Sequence, residues 1–389
     1  MKRRCSICGS NSKEKLHTQK YLLPQKRNLF AYDVVGCKKC GFIYADNIPS
    51  QKEYDQYYQN SSKYTYNKNV PKGLLAIYQD LYAITERIVH QDASLLRKEN
   101  YHILDVGCSI GTFLHMFKKG GFKHLSGVEP SHDCSLLARE LYGVEVLPVT
   151  ISEYRTDCKY DLIIMTGVLE HISDFSSVLP VVTGLLKESG TLMVAIPDAA
   201  NFSSDPLSPF DEFSVEHVNF FTKKSLANLM NTFCLKPTYS ESLNAPFYDS
   251  SVLVSFFKKS ATRQPPTYDR TGIIRVNKYI DACRKKLKHL EATFNKLIKA
   301  DESIVVWGVG SLTYRLLTST HLAKVDILAF VDSNKSLQGK KLTNRKIHSP
   351  AFFEHYIKGT VFIASHIYGD EIENLLRNKY HYRGNVVRV

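Results

Sequence analysis

Long apolar runs are missing from this chain of 389 residues. No window of 18 or more residues is apolar, so the sequence predicts no transmembrane helix and no membrane partner. The first residues, MKRRCSIC, lack the apolar core of a secretory signal. We therefore expect a cytoplasmic protein. A chain of this length exceeds one typical core, which predicts two or three domains.

A recognisable RNA-binding signature is also missing. The net charge is +13, which would suit either a nucleic acid or an anionic small substrate. The basic residues are scattered, however, and form only short runs such as RKKLK at 284–288. Solvated surface lysines explain the charge equally well. We therefore do not expect a nucleic-acid partner, and the charge alone identifies no other.

The cysteine count is nine, and an odd number in a cytoplasmic chain argues against a disulfide framework. Four of these cysteines form two C-x-x-C pairs, in CSICGS and CKKCGF, and a glycine follows each pair. Such a knuckle directs two thiolates at one point. We therefore predict a closed, structural zinc site of four sulfurs, formed by Cys5, Cys8, Cys37 and Cys40. A redox pair is the competing interpretation, but it would need only one C-x-x-C and a thioredoxin-like setting.

Apolar runs alternate with helical stretches from about residue 72 onward. The expected strands are HILDV, HLSGVEP, VEVLPV, YDLIIMT, GTLMVAIP and SVLVSFF. This alternation is typical of an α/β fold, a mostly parallel sheet covered by helices on both faces. Ligands of such sheets bind at the carboxyl ends of the strands.

The stretch YHILDVGCSIGTFLHMF predicts a strand, a small-residue turn and a helix. Gly107 and Gly111 would let the backbone approach a ligand at the helix N-terminus. Asp105 ends the strand, and Glu129 ends the next strand, where it could accept hydrogen bonds from ribose hydroxyls. The dinucleotide fingerprint G-x-G-x-x-G would need glycines at 109 and 112, where this chain has serine and threonine. The spacing G-x-G-x-G is met at 107 and 111, with Ser109 in the middle.

Four motifs in order, LDVGCSIGTFL, GVEPS, YDLIIMTGVLEHISD and LLKESGTLMVAIPD, resemble those of class I S-adenosylmethionine-dependent methyltransferases. The resemblance covers about residues 100–200. It implies that Asp105 and the turn from Gly107 to Gly111, including Ser109, face the methionine end and the adjoining ribose of that cofactor. It also implies that Glu129 holds the ribose hydroxyls. Gly167 and Val168 would line the methionine side.

Methyl transfer to a carbon or hydroxyl also requires removal of a proton, for which a histidine near its neutral pKa is suited. The candidate is His217, with Glu216 before it, in FDEFSVEHVNFF after the fifth strand. A histidine beside phenylalanines is equally often a structural residue, and that alternative stays open. Glu170 and His171, in VLEHI, are expected to have structural roles.

The whole arrangement resembles the deoxysugar C-methyltransferases that act on nucleotide-linked keto-sugars. That family implies a loop of tyrosine, any residue, glutamate and histidine, in which the histidine abstracts the proton beside the carbonyl. Glu216 and His217 match this loop, but Ser214 stands at the tyrosine position. An enolate needs a donor for its oxygen, so the departure puts the keto-sugar chemistry in question. O-methylation needs no enolate and stays open.

The C-terminal third contains a predicted linker at 258–272 and a long helix with a heptad seam. The seam comprises Ile273, Val276, Ile280, Cys283, Leu287, Leu290, Phe294 and Leu297. The seam could pack on another domain of the chain. Packing on a second copy, to form a homodimer, is the alternative hypothesis. A strand, a glycine turn at Gly308 and Gly310, and a helix follow, with Asp332 after the next strand. Thr313 replaces the third fingerprint glycine, so these glycines indicate either a nucleotide-binding turn or simply a tight one.

The sequence therefore predicts three parts of an α/β protein. They are a zinc module with a Tyr-rich segment at 1–70, a Rossmann-like methyltransferase domain at 71–258, and a Rossmann-like domain at 259–389 that follows the long helix. The expected function is S-adenosylmethionine-dependent methylation, at carbon or oxygen, of a sugar or sugar-like metabolite, for which a nucleotide sugar is the favoured class. An RNA or protein methyltransferase and a non-catalytic module with a degenerate site are the alternatives.

Overall fold

The computed structural model describes residues 2–23, 28–60, 70–89 and 98–389, so the end of the Tyr-rich segment lies outside the described residues. The helices are α1 Gln51–Asn60, α2 Lys72–Val89, α3 Thr112–Lys119, α4 His132–Tyr142, α5 Phe175–Leu185, α6 Lys223–Thr232, α7 Arg270–Lys299, α8 Ser311–Ser319 and α9 Gly369–Asn374. The strands are β1 Lys13–Leu23, β2 Asn28–Cys37, β3 Ile43–Asp46, β4 His102–Val106, β5 His124–Val128, β6 Val146–Leu147, β7 Tyr160–Thr166, β8 Leu186–Pro197, β9 Asn219–Phe220, β10 Leu235–Ala245, β11 Ser250–Lys259, β12 Ile304–Trp307, β13 Ile327–Val331, β14 Lys341–Leu342, β15 Arg345–His348, β16 Thr360–Ile363 and β17 Asn385–Arg388. Among these helices, none combines the length and the apolar character that crossing a membrane requires.

The chain divides into two compact units. The first unit comprises Met1–Lys15, Val35–Phe202 and Val215–Val276, and the second comprises Leu16–Val34, Ser203–Ser214 and Asn277–Val389. Each unit therefore collects segments that are distant in the sequence. The predicted domain boundaries at 70 and 258 stay a prediction, because a grouping by proximity does not test which segments fold independently.

A seven-stranded sheet forms the centre of the first unit, with the order β10-β11-β8-β7-β4-β5-β6 among the described strands. From β4 the chain proceeds to β5 and β6 on one side and then returns to β7 on the other, and these neighbours are parallel. The order of the strands thus reverses between β4 and β7. In sheets of this type, that reversal opens a crevice at the carboxyl ends of the strands. The predicted mixed α/β fold with a largely parallel sheet is confirmed.

The apolar residues of β4 and β7 alternate between two hydrophobic clusters. Leu104 and Ile163 pack in one cluster, whereas Ile103 and Leu162 pack in the other. Because successive side chains of a strand point to opposite faces, the sheet is buried on both faces. This explains why its strands read as almost continuous apolar runs rather than as alternating patterns.

The strand β10 is missing from the sequence-based prediction. It pairs antiparallel with β11, which in turn pairs antiparallel with β8, so the sheet ends in a hairpin. Its sequence, LKPTYSESLNA, is polar and contains Pro237, and most of its residues are only partly buried or exposed. A proline is tolerated there because β10 is an edge strand of the sheet.

The second unit contains a six-stranded sheet with the order β14-β15-β13-β12-β16-β17 among the described strands. The strand β12 pairs in parallel with β13 on one side and with β16 on the other. The last strand, β17, pairs in parallel with β16 at the edge of this sheet. The C-terminal half of the α7 seam is buried within this unit, where Leu290, Phe294 and Leu297 join the same cluster as Ile304 and Val306.

Candidate active site

The turn after β4 has the backbone geometry expected of a ligand cradle. Gly107 and Gly111 both adopt positive φ, of 71° and 77°. A Cβ added at Gly107 would lie 2.7 Å from Val168 Cγ2, so a larger residue would fill the cradle. Ser109, where glycine would be usual, also has a positive φ of 50°, which costs a non-glycine residue about 1–2 kcal/mol. Gly111 caps α3 without a side-chain hydrogen bond.

Two carboxylates stand at the ends of β4 and β5. Glu129 accepts hydrogen bonds from the backbone N–H of Ser109 at 3.1 Å and of Ser131 at 3.0 Å. Asp105 is buried, with 3% of its surface exposed. Burial, and then the charge of Glu129, raise the pKa of Asp105 well above its usual value. Burial also raises the pKa of Glu129, although its two backbone hydrogen bonds oppose this. The corner therefore presents acceptors that hydroxyl or ammonium donors would stabilise.

The end of β7 completes this corner. Gly167 has a positive φ of 66°, and its N–H donates to the carbonyl of Ala195 at 2.8 Å. The next residue, Val168, contacts the position that a side chain at Gly107 would take. The seven residues predicted to bind the cofactor thus lie at or next to the carboxyl ends of β4, β5 and β7, at the reversal of the strand order. Their roles toward a ligand stay a prediction.

The four predicted zinc ligands meet in the first unit. Cys5 Sγ lies 3.5 Å from Cys40 Sγ, and Cys8 Sγ lies 3.5 Å from Cys37 Sγ. All four sulfurs lie within 4.8 Å of one another. A tetrahedral ion with Zn–S bonds of about 2.3 Å needs sulfurs about 3.8 Å apart, whereas a disulfide needs about 2.05 Å. The cluster therefore fits a zinc ion, and it does not fit disulfides.

The two cysteine knuckles have matching backbones. In each, the glycine after the second cysteine donates its N–H to the carbonyl of the first, from Gly9 to Cys5 at 2.8 Å and from Gly41 to Cys37 at 2.9 Å. Both glycines have positive φ, of 70° and 76°. Glycine adopts a positive φ without steric cost, which explains why it follows each cysteine pair. Cys5 and Cys37 are also part of the main hydrophobic cluster of the first unit.

A second group of polar side chains surrounds the predicted base. The rings of His171 and His217 lie 5.1 Å apart, edge to face. His171 Nδ1 lies 3.0 Å from the carbonyl oxygen of Glu216, and the backbone N–H of Val218 donates to the carbonyl of Glu170 at 2.7 Å. The turn after β7 and the loop before β9 are thus held together by one side chain–backbone contact and one backbone–backbone hydrogen bond. The sequence assigned Glu170 and His171 structural roles, and the structure places both beside His217.

The helix α1 adds two tyrosines to this group. Tyr57 donates to Glu216 Oε1 at 2.9 Å, and the Tyr58 hydroxyl lies 3.1 Å from His171 Nδ1. The helix begins with reciprocal contacts between Ser50 and Glu53, which form a capping box. The sequence indicates the histidine loop and a Tyr-rich segment, but helical spacing alone does not show which turn of another segment a tyrosine will meet.

The buried side chain of Arg3 makes hydrogen bonds to the same loops. Arg3 Nη1 donates to the carbonyls of Ala45 at 3.1 Å and Val218 at 2.9 Å. Its Nη2 donates to the carbonyl of Ser173 at 3.2 Å and to Asn219 Oδ1 at 2.9 Å. Burial lowers the pKa of Arg3 to about 10, so the side chain stays charged at neutral pH. The segment before Cys5 therefore connects to both histidine-bearing segments.

The glycine turn of the second unit has its own geometry. Gly308 has a φ of 111°, and a Cβ there would lie 2.9 Å from the carbonyl oxygen of Ala364. Close packing against the end of β16 is therefore enough to require this glycine. Asp332 Oδ2 accepts a hydrogen bond from the backbone N–H of Val309 at 2.7 Å. These contacts support a tight turn, and binding of a nucleotide there stays a hypothesis.

Comparisons with known families find matches to two parts of the chain. Residues 78–237 match the family model described as "Methyltransferase domain". This segment is therefore similar to methyltransferase domains, and it makes up less than half of the chain. Residues 300–385 match a second family model, described as "C2185-like, N-terminal". The first match contains all seven residues of the predicted cofactor corner and the loop with His217.

The solved structures to which part of this chain is similar include several methyltransferases. The Burkholderia thailandensis 1,6-didemethyltoxoflavin-N1-methyltransferase, with bound S-adenosylhomocysteine, is 16% identical with a TM-score of 0.39, covering 64% of this chain and 99% of that one. The Synechocystis PCC 6803 magnesium protoporphyrin IX methyltransferase is 11% identical with a TM-score of 0.42, covering 54% and 99%. The N-methyltransferase NodS of Bradyrhizobium japonicum WM9 is 15% identical with a TM-score of 0.38, covering 54% and 97%. At this level these structures do not indicate the substrate of this chain. No curated protein matches it.

Proposed function

We propose that the chain transfers a methyl group from S-adenosylmethionine to a sugar or sugar-like metabolite, with a nucleotide-linked sugar as the favoured substrate. The observation that supports this is the corner at the end of β4, where three positive-φ residues form a cradle that faces the carboxylate of Glu129. The residues present fit the cofactor, because the cradle has no side chain at Gly107 and offers two acceptors for hydroxyl or ammonium groups.

The cofactor supplies a methyl group on a positively charged sulfur that is already activated for displacement. In this proposal Glu129 holds the ribose hydroxyls, because its carboxylate is oriented by two backbone N–H groups. Asp105 and the turn from Gly107 to Gly111 face the methionine end and the adjoining ribose, and Gly167 and Val168 line the methionine side. Positioning accounts for much of the rate, since the sulfonium needs no further activation.

His217 is proposed as the general base that removes a proton from the methyl acceptor. Its neighbour Glu216 is held through both its carboxylate, by Tyr57, and its carbonyl, near His171. These contacts orient the loop. If the acceptor is the carbon beside a carbonyl, the enolate oxygen needs a donor, and Tyr58 belongs to the same group of side chains. The four cysteines are proposed to hold a structural zinc ion, and native mass spectrometry should find one zinc ion that Cys8→Ser loses.

The test is a screen of nucleotide sugars with S-adenosylmethionine labelled in its methyl group. We expect label transfer to at least one keto-sugar or hydroxyl-bearing nucleotide sugar. His217→Ala should abolish turnover while the affinity for S-adenosylhomocysteine stays unchanged. His124→Ala is the matched control, since His124 is an exposed residue at the amino end of β5. Label found only in RNA or protein would contradict the proposal, as would full turnover by His217→Ala.

Solvent deuterium distinguishes methylation at carbon from methylation at oxygen. With a keto-sugar and S-adenosylhomocysteine, a base acting on carbon exchanges the proton beside the carbonyl without methyl transfer. The wild type should then incorporate deuterium, and His217→Ala should not. Methyl transfer by the wild type without such exchange would assign the chemistry to oxygen.

A further inference from the structure

Three side chains of metal-ligand type meet beside the proposed base. Glu170, His171 and His217 each place one ligand atom within 4.8 Å of the other two. Glu170 and His171 are largely buried, with side-chain exposures of 5% and 16%. One carboxylate and two imidazoles are a donor set that zinc uses in enzymes and that also suits other divalent transition metals. We propose that Glu170, His171 and His217, here called the His–His–Glu triad, bind a divalent transition metal ion, with zinc(II) as the first candidate.

The hydrogen bonds of His171 orient it as a metal ligand. Its Nδ1 lies 3.0 Å from the carbonyl oxygen of Glu216. A carbonyl only accepts, so this contact is a hydrogen bond when Nδ1 carries the proton, which leaves the lone pair of the neutral ring on Nε2. The Tyr58 hydroxyl oxygen, 3.1 Å from Nδ1, can accept the same proton. That Nε2 is 4.0 Å from Glu170 Oε1, on the side of the triad. Histidines that bind metals almost always donate their other N–H to a carbonyl or carboxylate, which fixes the tautomer and the ring orientation.

The distances require a small closure around the ion. Bonds of about 2.0–2.2 Å from zinc to nitrogen and oxygen place tetrahedral ligands about 3.4 Å apart. All separations lie within 4.8 Å, so none has to shrink by more than about 1.4 Å. Glu170 and His171 share one short helical turn, Leu169–His171, whereas His217 is only partly buried and lies in a loop without regular structure. Rotation of the His217 side chain supplies the movement. Three protein ligands leave the fourth position open.

The His–His–Glu triad differs from the four-cysteine cluster in its chemistry. Its ligands are nitrogen and oxygen, whereas the cluster has four sulfurs, so spectroscopy can separate ions at the two sites. The inference goes beyond the proposed function. Because a bound metal and the transferred proton would use the same lone pair of His217, occupancy of the triad should inhibit methyl transfer that depends on this base.

The test is equilibrium dialysis of the full chain against Co²⁺, with absorption spectra of the bound ion. Co²⁺ at the four cysteines gives intense sulfur-to-metal charge-transfer bands, and Co²⁺ at the triad gives none. We expect the wild type to bind one ion of each kind. His171→Ala and His217→Ala should each weaken the sulfur-free class at least tenfold and leave the sulfur class unchanged. His124→Ala, which alters another ring pair, should change neither class.

Two results would overturn the inference. One is a wild type that binds no Co²⁺ beyond the sulfur class. The other is sulfur-free binding that persists at full strength in both histidine variants, which would place the ion elsewhere. Neither result depends on a methyl acceptor. A chain that methylates a nucleotide sugar but binds no second ion would refute the metal site alone, and the reverse outcome would refute the proposed function alone.

Discussion

Replacing Arg3 tests how the cysteine-bearing segment stabilises the loops around the proposed base. The guanidinium makes five hydrogen bonds, of which those to the Val218 carbonyl and to Asn219 Oδ1 are the shortest at 2.9 Å. Hydrogen bonds to charged groups contribute about 1.5–3 kcal/mol each. These two alone therefore give about 3–6 kcal/mol for Arg3→Met, and the buried carbonyls left behind keep their desolvation cost. A change of this size is a large part of the stability of a typical domain.

Hydrogen exchange with mass spectrometry is the suitable assay, since a chain with two compact units need not unfold in one step. We expect Arg3→Met to accelerate exchange in peptides that cover residues 3–10, 169–175 and 215–220. Peptides from the six-stranded sheet should not change. Arg4→Met is the matched control, because the adjacent Arg4 is exposed. Arg3→Lys keeps the charge but not the fork of donors, so its effect should be intermediate.

Equal exchange rates of Arg3→Met and Arg4→Met in these peptides would contradict the prediction. A uniform increase of exchange over the first unit would also contradict it, because the loss of hydrogen bonds to a few loops should accelerate exchange in those loops. If Arg3→Met does not fold, Arg3→Lys carries the test. Its exchange rates must then differ from those of the wild type in the same three regions.

Three further predictions concern other positions. Ser109→Gly should raise the free energy of unfolding by up to about 1 kcal/mol, because glycine adopts the φ of 50° without strain. The backbone N–H that donates to Glu129 is kept. A thermal melt that shows lower stability would contradict this prediction. Burial lowers the pKa of His17 from 6.5 to about 4. Protonation of this histidine should therefore reduce the free energy of unfolding by roughly 3 kcal/mol as the pH falls from 6.5 to 4. Above pH 6.5 the His17 imidazole is neutral in the folded and the unfolded state. His17→Phe should therefore remove this loss of stability on acid titration. Equal pH dependence of stability in the wild type and His17→Phe would refute the prediction. Cys8→Ser should weaken zinc binding about a hundredfold or more in a chelator competition, whereas the control Cys158→Ser should not; equal zinc affinity of both variants would exclude the four-sulfur site.

The fold could be predicted from the sequence wherever burial on two faces produced apolar runs. The strands β4 and β7 are identical to the predicted HILDV and YDLIIMT. The edge strand β10 could not be predicted, because it is half exposed, polar and interrupted by Pro237. Local pattern carries little information about such a strand, whose existence depends on pairing with a neighbour.

Part of the candidate site could also be predicted from the sequence, and part could not. The four cysteines and the turn from Gly107 to Gly111 could be found because close spacing along the chain places their groups together. The group around His217 could not, since it combines α1, the turn after β7 and the loop before β9. Tyr58 and His171 are 113 residues apart. The contacts made by Arg3 and by the backbone of Val218 are among those that hold these segments together, and none of them can be read from local spacing.

Calorimetry with S-adenosylhomocysteine tests the central claim, that the corner after β4 binds the cofactor. We expect one molecule bound per chain. Glu129→Gln should weaken binding at least tenfold, because hydrogen bonds to a charged group contribute about 1.5–3 kcal/mol. Glu188→Gln should have no effect, since the Glu188 side chain is 91% exposed. No binding by the wild type, or unchanged affinity in Glu129→Gln, would contradict the account.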